Sequence, residues 1–246
     1  MQQSIEKEAE INNKLKVCIT SFIEKNGNTH SLNGDIIKNL VTLQGQMMML
    51  VQELNDMEEK VIISDEIYDV ITTRHSCRKF QDKQVLDDDI IKIINCGLSA
   101  PSAMNKQPWF FVVIKDKRVI NNLKNLAIKA FANSDDTRRK YLAKQLNYDP
   151  FYNPSVMILI CNKKDLPFSK NDCCFAVQNM SIMAESLGLS TCIIQDICWA
   201  IDESNKCQFK IPNEYEIYLA LSIGYPYVIN KNKKDIDPTK YTIIGN

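Results

Sequence analysis

Two stretches of this 246-residue chain carry side chains suited to gripping a ligand. The first reads Arg74-His75-Ser76-Cys77-Arg78-Lys79-Phe80. Side chains alternate faces in extended backbone, so Arg74, Ser76, Arg78 and Phe80 are expected to share one. Two guanidinium groups with a hydroxyl between them match a phosphate monoester, with its charge of about −2 and three acceptor oxygens. A solvated edge strand with exposed arginines is the plainer alternative. The second stretch, Ala100-Pro-Ser-Ala-Met-Asn-Lys-Gln-Pro-Trp109, sets two prolines, a serine, an asparagine and a glutamine directly before an aromatic, β-branched run. Proline fixes the backbone without donating a hydrogen bond. Such a stiff loop can hold Asn105 and Gln107 toward a heterocycle; as a mere connector, its amides would satisfy neighbouring backbone.

Other chemistries are poorly provided for. The seven glycines are never closer than seven residues apart, so neither G-x-G-x-x-G nor G-x-x-x-x-G-K-[ST] occurs and no glycine nest cradles a phosphate. Nine cysteines, an odd number without a C-x-x-C pair, suit a reducing compartment. With only His30 and His75 beside them, no metal site is expected. His75 reads as part of the basic loop or as a hydrogen-bonded structural group rather than a general base. Cys192 and Cys198 are redox candidates, against the commoner role of buried thiols as small apolar groups. Thirty basic and thirty acidic side chains cancel, which argues against nucleic acid or an anionic membrane as partner. The longest apolar runs are six residues, whereas spanning a bilayer takes about 20. The first residues lack the basic-then-apolar order of a signal peptide, and a cytoplasmic protein is expected.

The elements that would position these residues begin with a helical region free of proline. Ile11, Leu15, Cys18 and Phe22 mark one apolar stripe, followed by breakers at Asn26-Gly27-Asn28 and Asn33-Gly34-Asp35. Ile36, Leu40, Leu43, Met47, Leu50, Leu54, Met57 and Val61 then recur at alternating steps of four and three, the spacing of a coiled-coil seam. Flanking Val41, Met48, Met49 and Val51 broaden the stripe, which suits docking on a larger body or a dimer partner; recruitment of another protein is the alternative. Ser64-Asp65-Glu66 signals a short helix to Thr73. Asp87-Asp88-Asp89 opens another, and further helices are expected over about 118–131 and 171–187, the last ended by Gly188. Strands are expected at 109–114, 156–161, 190–194 and 215–223. The polar stretch 132–153 reads as a mobile lid, and Arg138-Arg139-Lys140 within it as a solvated face or an attractor for an acidic substrate.

The ordered motifs R-x-S-x-R-x-F, then A-P-S-A-x-N-x-Q-P-W-x-F-V-V, the helix from Asp172 to Met180, Gly188-Leu-Ser-Thr-Cys-Ile193, and Ile211-Pro to Gly224-Tyr-Pro226 resemble the FMN-dependent nitroreductase family, over about residues 65–234. The resemblance implies an α+β three-layer fold, a mixed central sheet flanked by helices, in an intertwined homodimer with FMN in each interface cleft. Residues 63–246 would form that domain and 1–62 a helical extension. By position, Arg74, His75, Ser76 and Arg78 would hold the FMN phosphate and ribityl chain. Pro101, Ser102, Ala103 and Asn105 would line the ring from the other subunit. Cys192, Ile193, Ile194 and Gln195 would pass beside the flavin, and Lys231 or Lys233 would return to the phosphate. The family often has glycine where this chain has Gln195, which would fill space beside the ring.

The activity so implied is electron transfer from NADH or NADPH through FMN to a small-molecule acceptor such as a nitroaromatic or quinone. A flavin cofactor needs few acid–base side chains, and no catalytic side chain is assigned. Flavin binding without turnover, dehalogenation and flavin-consuming chemistry are the alternatives.

Overall fold

A computed structural model of the chain describes residues 34–230 and 232–245, with helical positions at 13–14, 16–17, 20–21 and 24–25. The chain divides at Asp69–Val70 into two compact units. The stripe Ile11, Leu15, Cys18 and Phe22 lies outside the described residues, as does Lys231.

Helix α1 (Gly34–Thr73) runs for 40 residues. Its seam positions Leu43, Leu50, Leu54 and Met57 are half-buried, whereas the flanking Val41, Met48, Met49 and Val51 are exposed. The helix start expected at Ser64 does not occur: Ser64, Asp65 and Glu66 lie inside α1. A capping signal does not interrupt a helix that is already propagating, since each added residue keeps one hydrogen bond. Serine or aspartate in mid-helix costs only about 0.5 kcal/mol.

The second unit is built on four strands, β1 (Trp109–Ile114), β2 (Val156–Lys163), β3 (Ser190–Ile194) and β4 (Tyr215–Gly224), in spatial order β1-β2-β4-β3. All three ladders are antiparallel. The parallel component of the sheet is an isolated bridge, Ser76 to Thr191, on the edge strand β3. A register shift between Ile160 and Cys161 marks a bulge in β2. Because β2 is central and covered on both sides, seven of its eight residues are buried, and it opens on six consecutive apolar residues, Val156 to Cys161, rather than an alternating pattern.

Helices cover both faces. Ile158, Ile160, Leu219 and Leu221 face α2 (Asp87–Leu98) and α5 (Ser169–Ser186), meeting Ile93, Ala176 and Met180. Met157, Leu159 and Ala220 face α3 (Lys117–Asn133), meeting Ile120, Leu123 and Ala127. This is the three-layer α+β arrangement, set by the period-two alternation of the strands. α2 and α5 approach closely at Gly97, where a Cβ would lie 2.2 Å from Met180 Cε. α5 ends at Gly188, whose φ of +72° is the left-handed cap that glycine adopts at least cost. The stretch read as a mobile lid contains a further helix, α4 (Thr137–Ala143), whose N-cap Asp136 accepts a hydrogen bond from Arg139 N at 3.0 Å.

Candidate functional site

The basic segment leaves α1 and runs along the edge of the sheet. Arg74 N still donates to Val70 O at 3.2 Å, so Arg74 closes the helix and the extended segment starts at His75. A cation at that position complements the negative end of the helix dipole. Cys77 N donates to Thr191 O at 2.8 Å and Gln81 N to Tyr225 O at 2.9 Å, which ties the segment to the start of β3 and the exit of β4. The expected shared face breaks at its far end. Phe80 is buried over Gly224, where an added Cβ would lie 3.0 Å from the Phe80 ring, while Arg78 is exposed. The Arg78 guanidinium lies 5.9 Å from the Tyr152 ring centroid, a cation–π distance. His75 Nδ1 is 3.4 Å from Thr73 O.

The segment docks here on the start of β3 through the Ser76–Thr191 bridge. The Cys192 thiol, buried on β3 beside Thr191, lies in the field of Arg78 and Arg74. Burial nevertheless pushes that thiol up, the cations pulling the other way, and burial likewise raises Cys198. Neither is set up as a reactive thiolate, which needs an electropositive and accessible setting. Two groups beside the segment escaped the sequence reading. Glu185, near the end of α5, interacts with His75 and Arg74; burial raises its carboxyl, and its Oε2 is buried without a hydrogen-bond partner. The buried Thr191 Oγ1 also lacks one. Unpaired buried polar atoms are uncommon and mark places where a further partner fits.

The proline-stiffened loop is strained and anchored. Met104, Asn105 and Gln107 have φ of 51°, 52° and 46°, left-handed backbone that non-glycine residues adopt at a cost. Ala103 N donates to both oxygens of Asp172 at 3.2 Å, a carboxylate that is only 3% exposed. Ser102 Oγ accepts from Gln107 N at 3.0 Å and the Gln107 side chain donates to Asn105 Oδ1 at 3.3 Å. Gln107 is thus committed to holding the loop's shape. Pro101, Met104 and Asn105 are exposed, and Ser102 and Ala103 half-exposed.

Beyond Cys192, Ile193 is 40% exposed on the edge strand, Ile194 is buried, and Gln195 is exposed. Gln195 has φ −87° and ψ −24°, ordinary right-handed backbone, so this position does not require glycine. The carboxyl-terminal tail is tied beside the basic segment by Tyr227 N donating to Lys79 O at 3.0 Å and Gln81 Nε2 to Pro226 O at 2.8 Å. Lys233 follows within a few residues and is exposed.

The basic segment and the loop stand at opposite ends of one sheet. Ser76 and Phe80 bridge to Thr191 and Pro226, at the end where Ser190 pairs with Gly224. The loop enters β1 at Trp109, opposite Asn162, and Lys163 pairs with Tyr215 at the start of β4. The ten residues of β4 separate these ends by about 30 Å at 3.4 Å per residue.

The expected solvated face of Arg138, Arg139 and Lys140 holds only for its outer members. Arg138 and Lys140 are exposed, but Arg139 pairs with Asp136 and with Asp196, the latter at 2.9 Å. Asp136 is a local i,i+3 partner, but Asp196 lies 57 residues away, so no local pattern advertises that contact.

Comparison with known proteins agrees with this architecture. Residues 71–225 match the model of the Nitroreductase family, and the chain belongs to that family. A provisionally named NADH dehydrogenase/NAD(P)H nitroreductase of Archaeoglobus fulgidus is 28% identical over 179 residues, covering 70% of this chain and 89% of that protein. An iodotyrosine deiodinase of Thermotoga neapolitana is 22% identical over 65% of this chain and 88% of its own length. Among solved structures, the Bacteroides fragilis nitroreductase with bound FMN superposes with a TM-score of 0.68 at 25% identity, covering 73% of this chain and 99% of that one. An FMN-bound nitroreductase of Desulfitobacterium hafniense, 22% identical over 73% of this chain and 98% of its own, superposes with a TM-score of 0.67.

Proposed function

We propose that the chain is an FMN-dependent oxidoreductase that takes electrons from NADH or NADPH and delivers them to a small electrophile such as a nitroaromatic or quinone. The observation that carries the reading is the docking of the Arg74–Arg78 segment on the edge strand β3, through the Ser76–Thr191 bridge and Cys77 N donating to Thr191 O at 2.8 Å, within a chain of this family. The donor set fits the group: two guanidinium cations and a hydroxyl suit a phosphate dianion. Arg74, His75, Ser76 and Arg78 are the residues that would hold the phosphate and ribityl chain, with Lys231 or Lys233 closing from the tail. Bound FMN supplies two-electron transfer between a reduced nicotinamide and an acceptor. Cys192, Ile193, Ile194 and Gln195 would flank its ring, the half-exposed Ile193 giving an apolar contact that sheds water.

In this reading Pro101, Ser102, Ala103 and Asn105 come from a second copy of the chain. The separation of loop and basic segment along β4 supports that, because one protomer does not bring both to one ring. Asp172 and the Gln107–Asn105 bond then hold the loop in shape before the partner meets it, which lowers the ordering cost of binding. Residues 63–246 would be the flavin domain of a cytoplasmic homodimer, and 1–62 an extension outside the cofactor site. The likeness to the Thermotoga neapolitana deiodinase favours reductive dehalogenation as a second reading of the same site.

Anaerobic addition of NADH or NADPH to the flavin-loaded protein tests the reading. Bleaching of the flavin absorbance is expected. A bound flavin that neither nucleotide bleaches would favour binding without nicotinamide-driven turnover.

A further inference from the structure

Arg139 joins three parts of the chain that sequence keeps apart. One guanidinium nitrogen pairs with Asp136, the N-cap of α4, and the other donates to Asp196 Oδ1 at 2.9 Å. Asp196 directly follows Gln195 and opens the 3-10 turn Asp196–Trp199. The guanidinium plane also lies 4.8 Å from the Trp199 ring centroid and 5.7 Å from that of Phe131 near the end of α3. Those two rings meet edge to face, with centroids 5.9 Å apart. The side chain is only 30% exposed, and its Nε is buried without a partner. Only arginine serves two carboxylates from a rigid fork while stacking its plane on aromatic rings. The other end of the same stretch carries Tyr152, under Arg78 of the basic segment. The segment between α3 and β2 is thereby fastened at both ends to residues of the proposed flavin site.

We propose that Arg139 is a specificity-determining positioning residue: by latching α4 to the Gln195–Trp199 turn, it sets the shape of the acceptor pocket beside the cofactor without being a cofactor ligand. The assignment of that pocket rests on the flavin reading above, whereas the latch itself stands on Arg139, Asp136, Asp196 and Trp199. Arg138 and Lys140, on either side of the latched residue, stay exposed and are carried to a fixed place by it.

The test uses full-length, flavin-loaded Arg139→Met, Asp196→Asn and Arg139→Lys, with 1,4-benzoquinone as acceptor and NADPH or NADH as donor. Arg139→Met and Asp196→Asn are expected to raise the acceptor KM roughly tenfold, with kcat and FMN affinity changed less than about threefold. Arg139→Lys, which keeps the cation but loses the fork and the stacking plane, should fall between them and the parent. Chymotryptic cleavage at the exposed Tyr141 should speed up roughly tenfold in Arg139→Met, as a freed segment opens more often. An unchanged KM in folded, flavin-loaded variants overturns the specificity role, as does a loss of FMN affinity in step with activity. If the parent chain takes up no FMN, the site reading fails by itself. The cleavage assay still judges the latch, and unchanged cleavage overturns it.

Discussion

Replacing Arg78 by alanine removes one charge-assisted donor from the proposed phosphate cradle while sparing the core, since the side chain is exposed. Such bonds contribute about 1.5–3 kcal/mol each, so FMN affinity should fall roughly ten- to a hundredfold. Flavin fluorescence titration measures it, and an unchanged affinity in the folded variant removes Arg78 from the cradle. Gly97 makes a different residue-scale prediction. Alanine there would put a Cβ 2.2 Å from Met180 Cε and 2.9 Å from Cγ, with Met180 fully buried. Overpacking costs about 1–3 kcal/mol, which outweighs a helix-propensity gain of up to about 1 kcal/mol. Urea unfolding of Gly97→Ala should show a net loss of stability; a gain would mean that Met180 moves aside freely.

At the scale of elements, Asp172 couples α5 to the proline-stiffened loop. Asp172→Ala leaves Ala103 N without its acceptor, and an unmet buried donor costs about 1–3 kcal/mol; Asp172→Asn retains an acceptor. Unfolding should therefore show Ala clearly less stable than Asn, with FMN affinity falling in the same order, and equal effects would detach loop from helix. α4 carries a pH signature. The Asp136 carboxyl is held below its ordinary 3.8, first by the Arg139 amide. Because its folded value is depressed, its contribution is complete above about pH 4 and is lost as acid takes the pH through and below that point. Amide exchange within Thr137–Ala143, relative to α5, should accelerate below about pH 4; a constant ratio would contradict it. Elements were legible where the cause is local. Apolar, β-branched runs with proline or glycine at their edges mark β1 and β3 to the residue, and Gly188 marks the end of α5. α1 was misread as two helices because a capping signal states where a helix can start, not whether one is already running. The basic segment stood out by residue type, but its docking on β3 at Thr191 depends on topology. So do the Asp172–Ala103 and Arg139–Asp196 contacts, 69 and 57 residues apart in sequence, which no local pattern reveals.

For the whole molecule, the match to the family begins at residue 71, so removing residues 1–62 should leave FMN bound. Loss of flavin from the folded truncated protein would tie the extension to the site. The central claim is that the flavin site is shared between two copies of the chain, and mixing two defective variants tests it most directly. One variant carries Arg74→Ala with Arg78→Ala; the other carries Ser102→Gly, Ala103→Gly and Asn105→Gly. Each alone should bind FMN weakly. After subunit exchange, a mixed dimer joins the intact basic segment of one chain to the intact loop of the other, restoring about a quarter of all sites. Recovery of that fraction of tight FMN binding is the predicted result. No recovery after demonstrated exchange would contradict the shared site.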